Sequence, residues 1–128
     1  SKQLKGFQYS GELSNKEELI AAYLRSDVLV VPSHSEGMPN VILEAMASGL
    51  AIAATDVGAV TALVNGENGW IIPGTAPDDI HHVLRNIINC SKHEIAERKM
   101  NSVRKVSSQF TWEKIGTETL DFVTTICK

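Results

Sequence analysis

Two carboxylates eight positions apart, Glu36 and Glu44, fall within Val30-Val-Pro-Ser-His-Ser-Glu-Gly-Met-Pro-Asn-Val-Ile-Leu-Glu44, and their surroundings decide what they could do. A β-branched apolar run ends at Val31, a polar loop with one glycine follows, and Pro39 opens a stretch of helical period. In a parallel α/β sheet the carboxyl end of a strand, facing the start of the next helix, is where ligands bind. The first N–H groups of that helix lack internal partners and lie at the positive end of its dipole, which favours an anion such as a diphosphate. Gly37 lets the backbone approach that anion closely. Glu44, five residues beyond Pro39, lies about 7.5 Å further along the helix axis. The two carboxylates can therefore reach hydroxyls on opposite sides of a diphosphate. A ribose at Glu44 and a sugar at Glu36, bridged by phosphates at the helix start, is one ligand this spacing serves. The plainer account makes Glu44 a solvated helix residue and Glu36 an anion favoured near a helix N-terminus. Spacing alone leaves both open.

The elements that must position this loop read as an alternation of strands and helices, the mark of an α/β domain with a parallel sheet. Residues 7–10 are a short strand candidate. Ser14 and Glu17 form a capping box, and Leu19, Ile20, Tyr23 and Leu24 follow at helical spacing to about Ser26. The run 28–31 reads as the best core strand, covered on both faces. Pro39 starts and Gly49 ends the next helix, with Met46 in the core. Residues 50–54 make a second buried strand. Asp56-Val-Gly58 turns into a short helix ending near Asn65-Gly66, and residues 70–72 make a third strand closed by Pro73-Gly74. Three helices complete the chain. The first is capped by Thr75 and carries Ile80, Val83, Leu84, Ile87 and Ile88 as an amphipathic stripe. Ser91 with Glu94 opens the second, and Thr111 caps the third, where Ile115, Phe122, Val123 and Ile126 share a face.

The remaining polar groups read as structural. His34 is a solvated loop histidine or a substrate contact, and Ser35 a sugar or phosphate ligand or the cap of the following turn. His81, His82 and His93 fall on polar helix sides with no ligand spacing between them. Trp70 and Trp112 sit inside apolar patterns and read as packing residues. Cys90 and Cys127, with no CxxC or Cys/His spacing around them, read as reduced buried thiols. The chain of 128 residues holds 12 Lys plus Arg against 15 Asp plus Glu, a net charge of −3 with no long like-charge block. A polyanion-binding face, and with it a nucleic-acid partner, is not expected. No apolar run approaches the length of about 20 residues that a membrane helix needs, and no signal pattern opens the chain. It reads as soluble and cytoplasmic. At this length a fold can bury roughly two-thirds of the surface its unfolded chain exposes, enough for a core without staples.

The segment Pro-Ser-His-Ser-Glu-Gly-Met-Pro-Asn-Val-Ile-Leu-Glu-Ala-Met-Ala-Ser-Gly49, continued by Ala51-Ile-Ala-Ala-Thr-Asp-Val-Gly58 and Asn65-Gly-Glu-Asn-Gly-Trp-Ile-Ile-Pro73, resembles the signature of retaining glycosyltransferase family 4. Phe110-Thr-Trp112 is similar to a late aromatic landmark of the same family, and the likeness runs over about residues 5–125. The resemblance implies a GT-B architecture, in which two Rossmann-like domains face each other across a cleft. It implies that residues 1–128 are one Rossmann-like donor-binding domain, a parallel sheet flanked by helices. It also implies that the acceptor domain and the segment supplying a basic phosphate clamp are not part of this chain. A fragment of that kind is expected to show little transfer by itself.

Carried over residue by residue, the resemblance places Glu36 against hydroxyls of the transferred sugar, as the catalytic carboxylate. Gly37, Met38 and Asn40 would offer backbone N–H groups to sugar and diphosphate, Val41 would lie beside the phosphate or nucleoside, and Glu44 would bind ribose hydroxyls. The implied donor is a nucleotide-diphosphate sugar. The acceptor is a glycan or lipid-linked molecule held through the absent domain, in polysaccharide or glycolipid assembly, with peripheral contact at the inner face of a membrane in the longer protein. No metal and no cofactor is expected, and the chain has no DxD pair; Asp78-Asp79 suits a helix's first turn. Two departures stand out: Gly58-Ala59 followed by Ala62 where many relatives have Gly-Gly followed by Glu, and Gly37-Met38-Pro39 where many have Gly-Phe-Gly. The alternatives are a nucleotide-binding module without transfer activity, and a GT-B epimerase or phosphorylase.

Overall fold

The computed structural model describes residues 6–13, 15–34 and 40–109. Its elements are α1 (Lys16–Leu24), β1 (Val28–Val31), α2 (Asn40–Ala47), β2 (Ala51–Thr55), α3 (Val60–Leu63), β3 (Gly69–Ile72), α4 (Pro77–Ile88) and α5 (Lys92–Gln109). The three strands form one parallel sheet in the order β1-β2-β3. Val28 pairs with Ala51 and Val31 with Ala54, while Ile52 pairs with Gly69 and Thr55 with Ile72. This is the Rossmann-like α/β arrangement expected from the sequence.

Strand order decides burial. In β2, the central strand, Ala51 to Ala54 are 0% exposed and Thr55 is 1% exposed. The run 28–31, expected as the best-covered strand, is instead half-buried throughout. Its apolar composition suits a strand with two covered faces, but β1 has a hydrogen-bonded neighbour on one side among the described residues. The pleat divides the core in two. Ile52 and Ala54 meet Tyr23 of α1, Ile42, Leu43, Ala45 and Met46 of α2, Val60 and Leu63 of α3, and Val106 of α5. Ala53 and Ile72 meet Val83 of α4 on the opposite face, with Trp70, Ile80 and Ile87 packed alongside. Each large apolar side chain fully buried in this way stabilises the fold by roughly 1.5–3 kcal/mol.

Helix ends follow local chemistry. The α1 cap is Asn15, whose side chain accepts from the Glu18 N–H at 2.8 Å, one residue later than the expected Ser14 box; Ser14 lies outside the described residues. Asn is at least as good a cap as Ser, so the shift costs nothing. Before α4 the cap position is Ala76 in extended backbone with no side-chain bond, not Thr75. Pro77 at the helix start and Asp78 and Asp79 in the first turn carry that end. The Ser91–Glu94 box forms as expected, each backbone N–H donating to the other side chain at 3.1 Å. Helix α2 stops at Gly49 (φ +85°), where Gly49 N–H donates to Met46 C=O and Leu50 N–H to Ala45 C=O, the paired bonds of a Schellman stop.

Residues 7–10 form no strand, and Phe7 and Tyr9 are 64% and 85% exposed. Two alternating aromatics make a strand only where a sheet edge receives them. The α4 stripe is also narrower than its sequence pattern, because Leu84 and Ile88 face solvent while Val83 is buried. Trp70 is half-buried, with the Arg98 guanidinium 4.7 Å over its ring. Cys90 is a free, half-buried thiol rather than a buried one, and its Sγ–H donates to the Asn86 carbonyl. Burial, and then Glu94, push its pKa up. His81, His82 and His93 are exposed. Cys127, Trp112 and the helix expected after Thr111 lie outside the described residues.

Gly69 begins β3 so close to β2 that a Cβ there would collide with the Ile52 backbone. Gly69→Ala is expected to lower the unfolding free energy by at least about 2 kcal/mol in urea denaturation. Gly66→Ala, which meets nothing within 4 Å, is expected to change it by less than about 0.5 kcal/mol.

Candidate functional site

Because the sheet is parallel, the carboxyl ends of β1, β2 and β3, at Val31, Thr55 and Ile72, share one edge. The loop after β1 leaves from this edge and leads to α2. Its first part is tied to the neighbouring strand: the Thr55 side chain, 1% exposed, donates its hydroxyl hydrogen to the Ser33 carbonyl. A threonine ending an otherwise apolar strand was the sequence signal for this tether. On the other side, the Asp56 N–H donates to the Ile72 carbonyl at 3.3 Å, linking the turn after β2 to the end of β3.

His34 is exposed at the last described position of the loop. Ser35, Glu36, Gly37 and Met38 lie outside the described residues, as does Pro39. Of the candidate ligands, Asn40, Val41 and Glu44 are described, all on α2. Asn40 is exposed at the helix start. Glu44 is half-buried one turn further on and lies on the same face, since residues four apart stack along a helix. Val41 is half-buried and packs against the first core cluster, so its side chain serves the core while its N–H belongs to the first turn. Ile42, Leu43, Ala45 and Met46 are buried around Glu44, at no more than 1% exposure. The helix therefore cannot roll, and the direction in which Glu44 leaves it is fixed.

Across from Glu44 stands Tyr23 of α1, which the sequence presented as one more member of an apolar helix face. Its ring is 5% exposed, and its hydroxyl donates to Glu44 Oε2 at 3.5 Å. Burial first, then the negative charge of Glu44 and the hydrogen bond to it, raise the tyrosine pKa well above its ordinary value. The signal was the residue type: a tyrosine on an apolar stripe brings a hydroxyl that needs a partner. The Glu44 backbone carbonyl also accepts from the Ser48 hydroxyl at 2.8 Å.

Chemically, this corner joins a helix start, an exposed polar Asn40 and a carboxylate set one turn deeper. Acceptor oxygens at Glu44 and donor N–H groups at the first turn suit a ligand that carries both hydroxyls and an anion. Among the described residues no group of three or more His, Cys, Asp or Glu could hold a metal ion. No helix among them is long and apolar enough to cross a membrane.

A parallel sheet flanked by helices, with a polar corner at the strand ends, is a Rossmann-like domain of the GT-B glycosyltransferase type. The family model described as glycosyl transferases group 1 matches residues 1–90, and the chain belongs to that family. It is 31% identical over 122 residues to an uncharacterized glycosyltransferase of Methanocaldococcus jannaschii, covering 88% of this chain and 34% of that protein. It is 34% identical over 98 residues to a D-inositol 3-phosphate glycosyltransferase of Rhodococcus erythropolis, covering 76% of this chain and 22% of that one. The chain thus spans about a fifth to a third of the length of these curated relatives. Among solved structures, the C-terminal domain of a glycosyl transferase group 1 family protein from Francisella tularensis superposes with a TM-score of 0.69 at 28% identity, over 80% of this chain and 52% of that one. A sucrose-phosphate synthase from Thermosynechococcus elongatus also gives 0.69, at 26% identity over 85% and 27% of the two chains.

The Thr55 tether predicts its own test. Thr55→Val keeps the shape but leaves the half-buried Ser33 carbonyl without that donor, which is expected to cost about 1 kcal/mol in denaturant unfolding. Backbone amide exchange at residues 33 and 34 is expected to speed up by more than at α4.

Proposed function

We propose that the chain is the donor-binding part of a retaining, family 4 glycosyltransferase that takes a sugar from a nucleotide-diphosphate sugar. The observation that carries this reading is Glu44, held half-buried one turn into α2 at the carboxyl end of the sheet and lying within the family-matched residues 1–90. In this reading Glu44 accepts hydrogen bonds from the ribose hydroxyls, and the N–H groups at the start of α2, with those of Gly37 and Met38, face the diphosphate. Glu36 accepts from hydroxyls of the sugar being transferred. His34 and Ser35 are further candidates for contact with the same ligand. The acceptor, a glycan or a lipid-linked molecule, binds largely outside the described residues, in polysaccharide or glycolipid assembly at the cytoplasmic side of a membrane.

The transfer breaks the bond between the anomeric carbon and the diphosphate oxygen, and forms one from the same face of the sugar to an acceptor oxygen. The acceptor's proton passes to the departing diphosphate. What the chain supplies is electrostatic: N–H groups already oriented at a helix start steady the charge that builds on the diphosphate as its bond breaks. No metal is assigned a part in this step.

Calorimetric titration with nucleoside diphosphates and their sugar conjugates tests the assignment. Glu44→Ala is expected to weaken both ligand types by at least about tenfold, whereas Glu36→Ala is expected to remove only the preference for the sugar conjugate. Unchanged affinity in both variants would overturn the reading.

A further inference from the structure

Helix α1 approaches the site from the side and carries a residue that neither the motif nor the helix start accounts for. Tyr23 sits in the same buried cluster as Ile42, Leu43, Ala45 and Met46 of α2, so packing on every side fixes its ring. The exception is the hydroxyl, which reaches Glu44 Oε2 at 3.5 Å. That distance is longer than the roughly 2.5–3.0 Å of a well-formed O–H···O bond, and hydrogen bonds at functional sites are often long before a ligand enters. From this geometry we infer that Tyr23 is a positioning residue, whose phenol holds the Glu44 carboxylate in the orientation that accepts both hydroxyls of a ribose. The inference rests on the reading of Glu44 as the ribose-binding carboxylate, and adds to it the device that makes the site selective for ribo- over deoxyribonucleotides.

Two features of the pair support the assignment. A glutamate side chain has several rotatable bonds, and fixing them on binding costs entropy that a preset partner removes. The phenol also stays protonated, and so remains a donor, far above neutral pH, because burial and the adjacent Glu44 charge both oppose its ionisation. A buried ring on one helix and a half-buried carboxylate on the next act as a fixed hand and a held tool: α1 sets the angle, α2 presents the group.

The test uses the 128-residue chain, with UDP, GDP and ADP and their 2′-deoxy counterparts as probes, in wild type, Tyr23→Phe, Glu44→Ala and the double variant. Phe preserves the ring in its buried slot and removes the hydroxyl. Tyr23→Phe is expected to weaken ribonucleotide binding by about threefold to tenfold while weakening the 2′-deoxy ligands, which keep only the 3′ hydroxyl, by less, and to add nothing in the Glu44→Ala background. An equal loss for ribo and deoxy ligands would show that the hydroxyl serves packing alone and would overturn the inference, as would no loss at all. If Glu44→Ala leaves ribonucleotide binding intact, or if wild type binds none of the probes, the underlying reading fails and the inference falls with it. A ligand-free measurement separates the two failures. In the ligand-free protein Glu44→Gln is expected to shift the Tyr23 ring resonances in NMR spectra, and unmoved ring resonances would refute the pairing whatever binds.

Discussion

Everything at this site depends on the immobility of α2. Four of its eight residues, Ile42, Leu43, Ala45 and Met46, are buried against the sheet and its neighbours, and the Gly49 stop ends the helix with two paired backbone bonds. A helix seated so firmly presents its N-terminus and its polar positions at fixed angles, at the edge where the strands end. The N–H groups of its first turn have no partners inside the helix, and its exposed Asn40 and half-buried Glu44 follow the same geometry. Loosening any of the four buried contacts would move both at once. Folding and the placement of these groups therefore share a single set of interactions.

The sheet supplies the second constraint. The small alanines of β2 let helices approach the sheet closely from both faces, and Gly69 lets β3 lie against the Ile52 backbone. At the carboxyl edge the same strand ends in Thr55, whose hydroxyl ties the loop after β1 to the body of the fold. Strand centre and strand end thus do different jobs a few residues apart: packing in the middle, positioning at the tip.

Much of this was legible in the residues. Periodicity placed the three strands, α2 and the Ser91–Glu94 box, because each rests on local chemistry: β-branched runs, a glycine stop, reciprocal caps. The misjudgements share one cause, which is that neighbours are not written in a local pattern. The run 28–31 has the composition of a central strand, yet strand order puts Ala51–Thr55 in the middle. Leu84 and Ile88 fall on the apolar stripe of α4, yet both are exposed among the described residues. Phe7 and Tyr9 alternate like strand residues, but no described strand receives them. For the site, spacing put Glu44 about one turn into a helix but left its role open, while the Tyr23 contact spans 21 positions and appears in no motif. Such pairs become visible once two helices are packed on the same face.

The central claim is that the start of α2 is where this chain takes an anion bearing a ribose. Amide chemical-shift mapping with a nucleoside diphosphate tests it most directly. The account predicts that the largest shifts cluster on the amides of Gly37, Met38, Asn40, Val41 and Glu44, with α4 unmoved. Shifts centred instead on the groove between Asn65–Asn68 and Arg104 and Lys105 of α5, with the α2 amides still, would contradict it.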